Sequence, residues 1–150
     1  MIKRNNKLNC FDKKVIFILG GSQGSLELND LMKKVISYIT VNNFFIIHQT
    51  GLADKEELRK IYVKAGISFF LFDFQDNLNE YYSAADLTIS RAGAGAIAEI
   101  VFFDKKALLV PLKKVANNHQ EENAQQASIK HSQIVLFSSI EEMVAMIQDL

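Results

Sequence analysis

The sequence predicts a doubly wound α/β domain built on a mostly parallel, six-stranded sheet. Two observations predict it. Short β-branched and aromatic runs alternate along the chain with longer stretches whose apolar residues recur at helical spacing. Six such runs, separated by helices, fit into 150 residues. That alternation implies parallel strands joined by right-handed crossovers.

The first strand is Val15 to Leu19, a continuous apolar run ending at Gly20-Gly21, as expected of a strand buried on both faces. Leu28, Leu31, Met32, Val35, Ile36 and Ile39 then fall on one helix face. Phe44 to Ile47 is the second strand. Asp54, with Glu57 three residues on, has the form of a capping box, and Leu58, Ile61, Tyr62 and Ala65 give the helix stripe behind it. Ser68 to Phe72 reads as the third strand and Asn77 to Ala85 as a short helix; Leu87 to Ser90 and Ala94 to Phe103 repeat the pair. Ala107 to Val110 is a fifth strand, stopped by Pro111, the only proline. Asn118 to Lys130 reads as helix, Ile134 to Phe137 as the sixth strand, and Ser139 with Glu142 opens a last helix. No linker or internal repeat interrupts this series. Residues 1–14 are a polar N-terminal segment, and residues 15–150 one domain.

Composition narrows the function. Hydrophobic residues at 49% and charged residues at 23% are globular values and exclude a disordered tail. Seventeen basic residues balance seventeen acidic ones, so no bulk field draws the chain to nucleic acid, and no nucleic-acid partner is expected. A single cysteine, Cys10, excludes an internal disulfide framework and fits a reducing, cytoplasmic compartment. No apolar run approaches the roughly 20 residues of a membrane span, and no secretory leader opens the chain.

In doubly wound sheets, ligands sit beyond the carboxyl ends of the strands. Four loops qualify there: Gly20 to Ser25, Phe72 to Asn77, Arg91 to Gly95, and Lys113 to Asn123. Gly20-Gly21-Ser22-Gln23-Gly24-Ser25 leads from strand to helix, where glycines allow close approach and helix N–H groups can meet an anion. It lacks the Gly-Lys-Ser/Thr ending of a P-loop. Arg91-Ala92-Gly93-Ala94-Gly95-Ala96-Ile97-Ala98-Glu99 fits a relaxed dinucleotide fingerprint through Gly93, Gly95 and Ala98. No acidic residue ends the next strand, where Pro111-Leu112-Lys113-Lys114 stands, which argues against a nicotinamide cofactor. Glu99, alone among apolar neighbours, is either a solvent-stripe residue or a carboxylate that accepts both hydroxyls of a vicinal diol. The polar run Asn117 to Asn123, with His119, Gln120 and Glu121, is either a capped, solvated helix start or a set of sugar-hydroxyl readers. His119 lacks a convincing third metal ligand beside Glu121 or Glu122, so neither a metal nor a cofactor is expected. His48 closes an apolar strand and is expected to be structural, as is His131.

Together these loops resemble one family. Ile18 to Ser25 with Asn29, Phe74-Gln75-Asp76, Ser90 to Gly95 with Ala98-Glu99, and Asn118-His119-Gln120-Glu121 with Asn123-Ala124 are similar, in order and spacing, to the C-terminal half of the MurG family. These transferases add N-acetylglucosamine to lipid I in peptidoglycan synthesis. The resemblance runs from about Val15 to Leu150 and implies half of a GT-B fold, two facing Rossmann-like domains with the nucleotide-sugar between them. It implies that residues 15–150 are the UDP-GlcNAc-binding donor domain, with the acceptor domain absent. The loop of Gly21, Ser22, Gln23 and Gly24 would lie at the diphosphate, with Arg91 and Gly93 nearby and the amides of Ala94, Gly95 and Ala96 on the phosphates. Phe74 and backbone groups near Gln75 would hold the uracil, and Glu99 the ribose. Gln120, His119 and Asn123 would read the N-acetylglucosamine hydroxyls.

The resemblance leaves out the half that binds the lipid acceptor and meets the inner face of the cell membrane, and the family's final helices stop short at Leu150. The implied partner is therefore an acceptor-domain chain or a missing N-terminal half, through which lipid I would be reached. No catalytic base stands out for inverting transfer. Two other readings remain open: the soluble donor subunit of a two-chain transferase of N-glycan assembly, and a non-catalytic remnant that binds nucleotide-sugar.

Overall fold

Six strands, β1 (Lys14–Leu19), β2 (Phe44–Gln49), β3 (Ser68–Phe72), β4 (Leu87–Ser90), β5 (Ala107–Leu109) and β6 (Ile134–Leu136), pair in parallel in the order β3-β2-β1-β4-β5-β6. This computed structural model describes residues 10, 12–21, 24–40, 43–111 and 119–150. Six helices connect the strands: α1 (Leu26–Ile36), α2 (Lys55–Lys64), α3 (Asn79–Ala84), α4 (Ala94–Phe102), α5 (His119–Lys130) and α6 (Ile140–Gln148). The predicted doubly wound α/β class is the one observed, and the sheet is parallel throughout. Most of the predicted N-terminal segment lies outside the described residues; Cys10 is buried, and Lys14 already belongs to β1.

Alternation along each strand makes two cores. Val15, Phe17 and Leu19 of β1 point with Ile47 and Leu109 toward Tyr82, Ile100 and Ala124 of α3, α4 and α5. Ile16 and Ile18 point the other way, onto Leu28 and Met32 of α1, Leu58 and Tyr62 of α2, and Met143 of α6. With helices on both faces every strand can be apolar on both sides, which is why the strand runs are continuous rather than alternating. Asp86 fastens the centre of the sheet, where its Oδ2 accepts from Val15 N at 2.8 Å and its N donates to Val15 O at 2.8 Å.

The observed ends differ from the predicted ones by a few residues, and two differences have physical causes. β2 runs on through His48 and Gln49, although polarity suggested an end at Ile47. His48 is tolerated because its Nδ1 pairs with the Tyr62 hydroxyl at 2.8 Å inside the second core, which confirms a structural role for it. Asp54 stands at the N-cap position of α2 but makes no capping bond. Its carboxylate instead accepts from Asn29 Nδ2 at 3.2 Å and pairs with Lys33 at 3.3 Å. Tertiary partners outcompete the local cap. Ser139 does cap α6, accepting from Glu142 N at 3.2 Å.

Burial lowers the His48 pKa to about 3. An unfolded histidine takes its proton near pH 6.5, so below that value the unfolded chain binds a proton that the folded one refuses. The stability that His48 allows is therefore complete above pH 6.5 and is lost as pH falls toward 3, by up to about 1.4 kcal/mol per pH unit. Urea denaturation at pH 7, 6, 5 and 4 should show the native chain losing stability more steeply than His48→Gln by about that slope. Parallel curves would remove His48 from the acid transition.

Candidate functional site at the carboxyl edge of the sheet

The strand order reverses between β1 and β4, because β1 is followed through α1 to β2 on one side while β4 lies on the other. The loops after β1 and β4 therefore diverge and open a crevice, the usual ligand position in such sheets. Arg91, at the end of β4, spans it: its Nη1 donates to the Gly20 carbonyl at 3.3 Å, while its buried Nε has no protein partner. Burial pulls the Arg91 guanidinium below its ordinary pKa and Glu27 acts against that, but a guanidinium stays charged regardless. A cation thus sits between the two glycine loops.

The glycines of those loops do different things. At Gly24, φ is +78°, and an added Cβ would lie 2.6 Å from the Thr50 carbonyl and 2.8 Å from the backbone of Gly51. Gly24 is required by the fold, because the β1–α1 loop packs backbone to backbone on the β2–α2 loop. At Gly93 and Gly95 nothing lies within 4 Å of an added Cβ. The protein leaves that space open. α4 starts there with Gly93 as N-cap and no side-chain cap, and its first internal bond runs from Ile97 N to Gly93 O at 3.0 Å. The N–H groups of Ala94, Gly95 and Ala96 consequently have no helical partner and face an open gap, an arrangement suited to an anion.

The β3–α3 loop leaves the edge strand on the same end of the sheet. Phe74 is 57% exposed and Gln75 is exposed beside it. Lys55 anchors this loop through Asp73 at 3.1 Å, and Tyr81 of α3 donates from its hydroxyl to Gln75 Oε1 at 2.5 Å. The next residue, Tyr82, turns to α4. Its buried hydroxyl meets no acceptor at hydrogen-bonding geometry, and its pKa is raised by burial and then by the neighbouring Glu99 carboxylate. Glu99 is exposed and lies on the α3 side of α4. α5 closes the far side: His119 and Gln120 open it, and Asn123 Nδ2 donates to the Ala92 carbonyl at 3.5 Å, tying α5 to the Arg91–Gly95 loop. Of the predicted site residues, Gly21, Gly24, Arg91 and Gly93 to Ala96 converge on the crevice. Phe74 and Gln75 stand exposed on the loop before α3 and Glu99 on the α3 side of α4, and Ser22, Gln23 and the loop before α5 (residues 112–118) lie outside the described residues. Among the described residues no cluster of potential metal ligands occurs.

The glycosyltransferase family 28 C-terminal domain matches residues 15–149. The chain belongs to that family. Similar proteins include UDP-N-acetylglucosamine--N-acetylmuramyl-(pentapeptide) pyrophosphoryl-undecaprenol N-acetylglucosamine transferases from Flavobacterium psychrophilum and Thermodesulfovibrio yellowstonii. The first is 35% identical, covering 91% of this chain and 38% of the relative; the second is 43% identical, covering 73% and 30%. The chain thus spans about a third of these relatives. Among solved structures, MurG of Acinetobacter baumannii superposes with a TM-score of 0.76 at 27% identity, over 91% of this chain and 41% of that one.

Asn29, which the sequence groups with the first glycine loop without giving it a role, holds the loops rather than lining them. Asn29 is fully buried; its Nδ2 donates to the Thr50 carbonyl at 2.9 Å as well as to Asp54. One signal was present: Asn29 falls beside Leu28 on the buried side of α1, where an asparagine is costly unless bonded. The two kinds of glycine should separate on substitution. Gly24→Ala is expected to destabilise by at least about 2 kcal/mol, from left-handed strain plus overlap. Gly95→Ala should leave stability unchanged or raise it by about 0.5 kcal/mol. Equal thermal shifts for the two would contradict this division.

Proposed function

We propose that this chain is the donor-binding half of an inverting N-acetylglucosaminyltransferase, which takes UDP-GlcNAc and serves transfer to undecaprenyl-pyrophosphoryl-MurNAc-pentapeptide, lipid I to lipid II. The observation that carries this reading is the open, uncapped start of α4 at the switch point, facing the Arg91 guanidinium. A diphosphate needs several N–H donors and a positive neighbour, and the two glycine loops supply both. The amides of Ala94, Gly95 and Ala96 take the phosphates, with Gly21, Ser22, Gln23, Gly24 and Gly93 shaping the cradle. The uracil lies against Phe74 and the backbone at Gln75. Glu99 accepts the two ribose hydroxyls, and His119, Gln120 and Asn123 read the sugar.

Departure of UDP leaves charge on the β-phosphate. The helix terminus and Arg91 stabilise that charge as it develops, which is this half's share of catalysis. The base that deprotonates the acceptor hydroxyl, contact with the lipid and any peripheral attachment at the inner face of the membrane belong to the acceptor-binding half, on a partner chain or elsewhere in the same one. Among the described residues no helix is long and apolar enough to cross a membrane. The bacterial transferases among its relatives favour this reading over the two-chain N-glycan enzyme.

Calorimetric titration with UDP-GlcNAc tests the proposal directly. Saturable binding to these 150 residues is expected, weak because they supply only the donor side of the cleft; no heat of binding at millimolar ligand would overturn it. Glu99 gives a sharper test. Hydrogen bonds to a carboxylate contribute roughly 1.5–3 kcal/mol each when buried, and on an exposed, solvent-screened side chain the two ribose bonds together are taken at about 1.5 kcal/mol. Glu99→Ala should therefore weaken UDP about tenfold, and Glu99→Gln less. Neither should move the melting temperature appreciably, because the side chain is exposed. Equal dissociation constants for all three proteins would leave Glu99 a surface residue only.

A further inference from the structure

The outward face of α4 and α5 is apolar, open and graded along its length. A groove of about 590 Å³ runs between the two helices, floored by Ile97 and Val101 of α4 and Ala127 of α5. On its α4 side Ala94, Ala98 and Phe102 follow one another at helical spacing, so small residues stand at the start of the helix and a large one at its end. All three are exposed, Phe102 at 81%. On α5, Glu122, Gln126 and Lys130 make an exposed row at the same four-residue spacing, and Ile129 beside them is 84% exposed. Gln126 lies midway between the acid and the base, each about 6 Å away along the helix axis. Single exposed hydrophobics are ordinary on a protein surface. Two of this size on neighbouring helices, next to an apolar groove, mark an interaction surface.

We propose that this face pairs with the same face of a second copy of the chain, the two α5 helices running antiparallel about a two-fold axis at Gln126. The pattern on the face selects that occupant and that direction. Reversal sets Glu122 of each copy opposite Lys130 of the other, whereas parallel pairing sets like charges together. α4 and α5 both follow strands of one parallel sheet and pack on the same face of it, so they run the same way. Reversal therefore also brings Phe102 of each copy over Ala94 and Ala98 of the other, where small side chains leave room for a ring. A partner face of one charge, or of apolar residues alone, would match only half of this pattern. A two-fold pairing uses up the surface that makes it, so association stops at the dimer. The inference is independent of the donor-binding reading.

Sedimentation velocity from micromolar to near-millimolar concentration, with thermal melts at the dilute end, tests the pairing. The native chain is expected to pass from monomer to dimer and no further. Phe102→Asp should raise the dimer dissociation constant at least tenfold without changing the dilute melting temperature, because the side chain is exposed. Glu122→Lys and Lys130→Glu each place like charges opposite one another and should weaken the dimer about fivefold, while the doubly substituted chain should recover the native value. A native chain that stays monomeric throughout would overturn the proposal. So would growth beyond the dimer, or a dimer indifferent to Phe102→Asp. Failure of the double exchange to restore pairing would overturn the antiparallel arrangement and the proposal with it.

Discussion

A parallel strand cannot return to its neighbour without a crossover, and here the crossovers leave the centre of the sheet in opposite directions. β1 sits between β2 and β4; α1, which follows β1, crosses one face and α4, which follows β4, the other, as the two separate cores record. The two strand ends must therefore send their loops apart, and the gap between them cannot be filled by either. The free amides at α4 and the Arg91 guanidinium lie on the rim of this gap. The sheet fixes the spacing of these groups, so a ligand that spans them does not have to order them, which lowers the cost of binding.

The rim is held by backbone proximity more than by strong interactions. Asn29 stitches α1 to the Thr50 carbonyl and to Asp54, and Gly24 lets the neighbouring loop lie against Thr50 and Gly51. Lys33 adds contacts to Glu57 at 2.7 Å, Asp30 at 3.1 Å and Asp54 at 3.3 Å. Burial opposes the charge of Lys33, and its acidic neighbours outweigh that and raise its pKa. Glu57 and Asp30 are exposed, and surface pairs of this kind contribute about 1 kcal/mol or less each. The cluster's value is positional: it fixes where α2 starts and hence where the β2–α2 loop supports the glycine loop.

The fold was legible because apolar periodicity and length settle most of it. β4 falls where its run of Leu and Ile places it, since burial at every position leaves a plain signature, and β3, an edge strand with Phe70 exposed, is still marked by its aromatic run. The errors came where a polar side chain is paid for by a distant partner. His48 extends β2 only because Tyr62, fourteen residues on, meets it. Asp54 abandons its cap for Asn29 and Lys33. Glycines show the same limit: in sequence Gly24 and Gly95 look alike, yet one is pressed against backbone and the other against nothing. Tyr81 gave no signal at all, because an aromatic beside another aromatic in a short helix reads as core, and its ring is core. Its hydroxyl bonds Gln75 on the loop after β3.

Glu99 is the residue for which composition alone favours the plainer explanation, and its position argues the other way. α4 is apolar almost all round, and a single carboxylate would serve solubility best on the face that water reaches most. That face is the groove toward α5, about 590 Å³ lined by Ala94, Ile97, Ala98 and Val101, where Phe102 stands 81% exposed. Glu99 is not there. It lies on the side toward α3, near the buried Tyr82 hydroxyl. A charge placed for solvation would not leave the apolar groove bare and occupy the narrower side. A charge placed for a diol would have to lie where the base loop and the phosphate cradle approach each other, since a ribose joins the groups that those two elements bind. On the donor-binding reading Glu99 would meet the second requirement, and its distance from the α5 groove is what supports that reading.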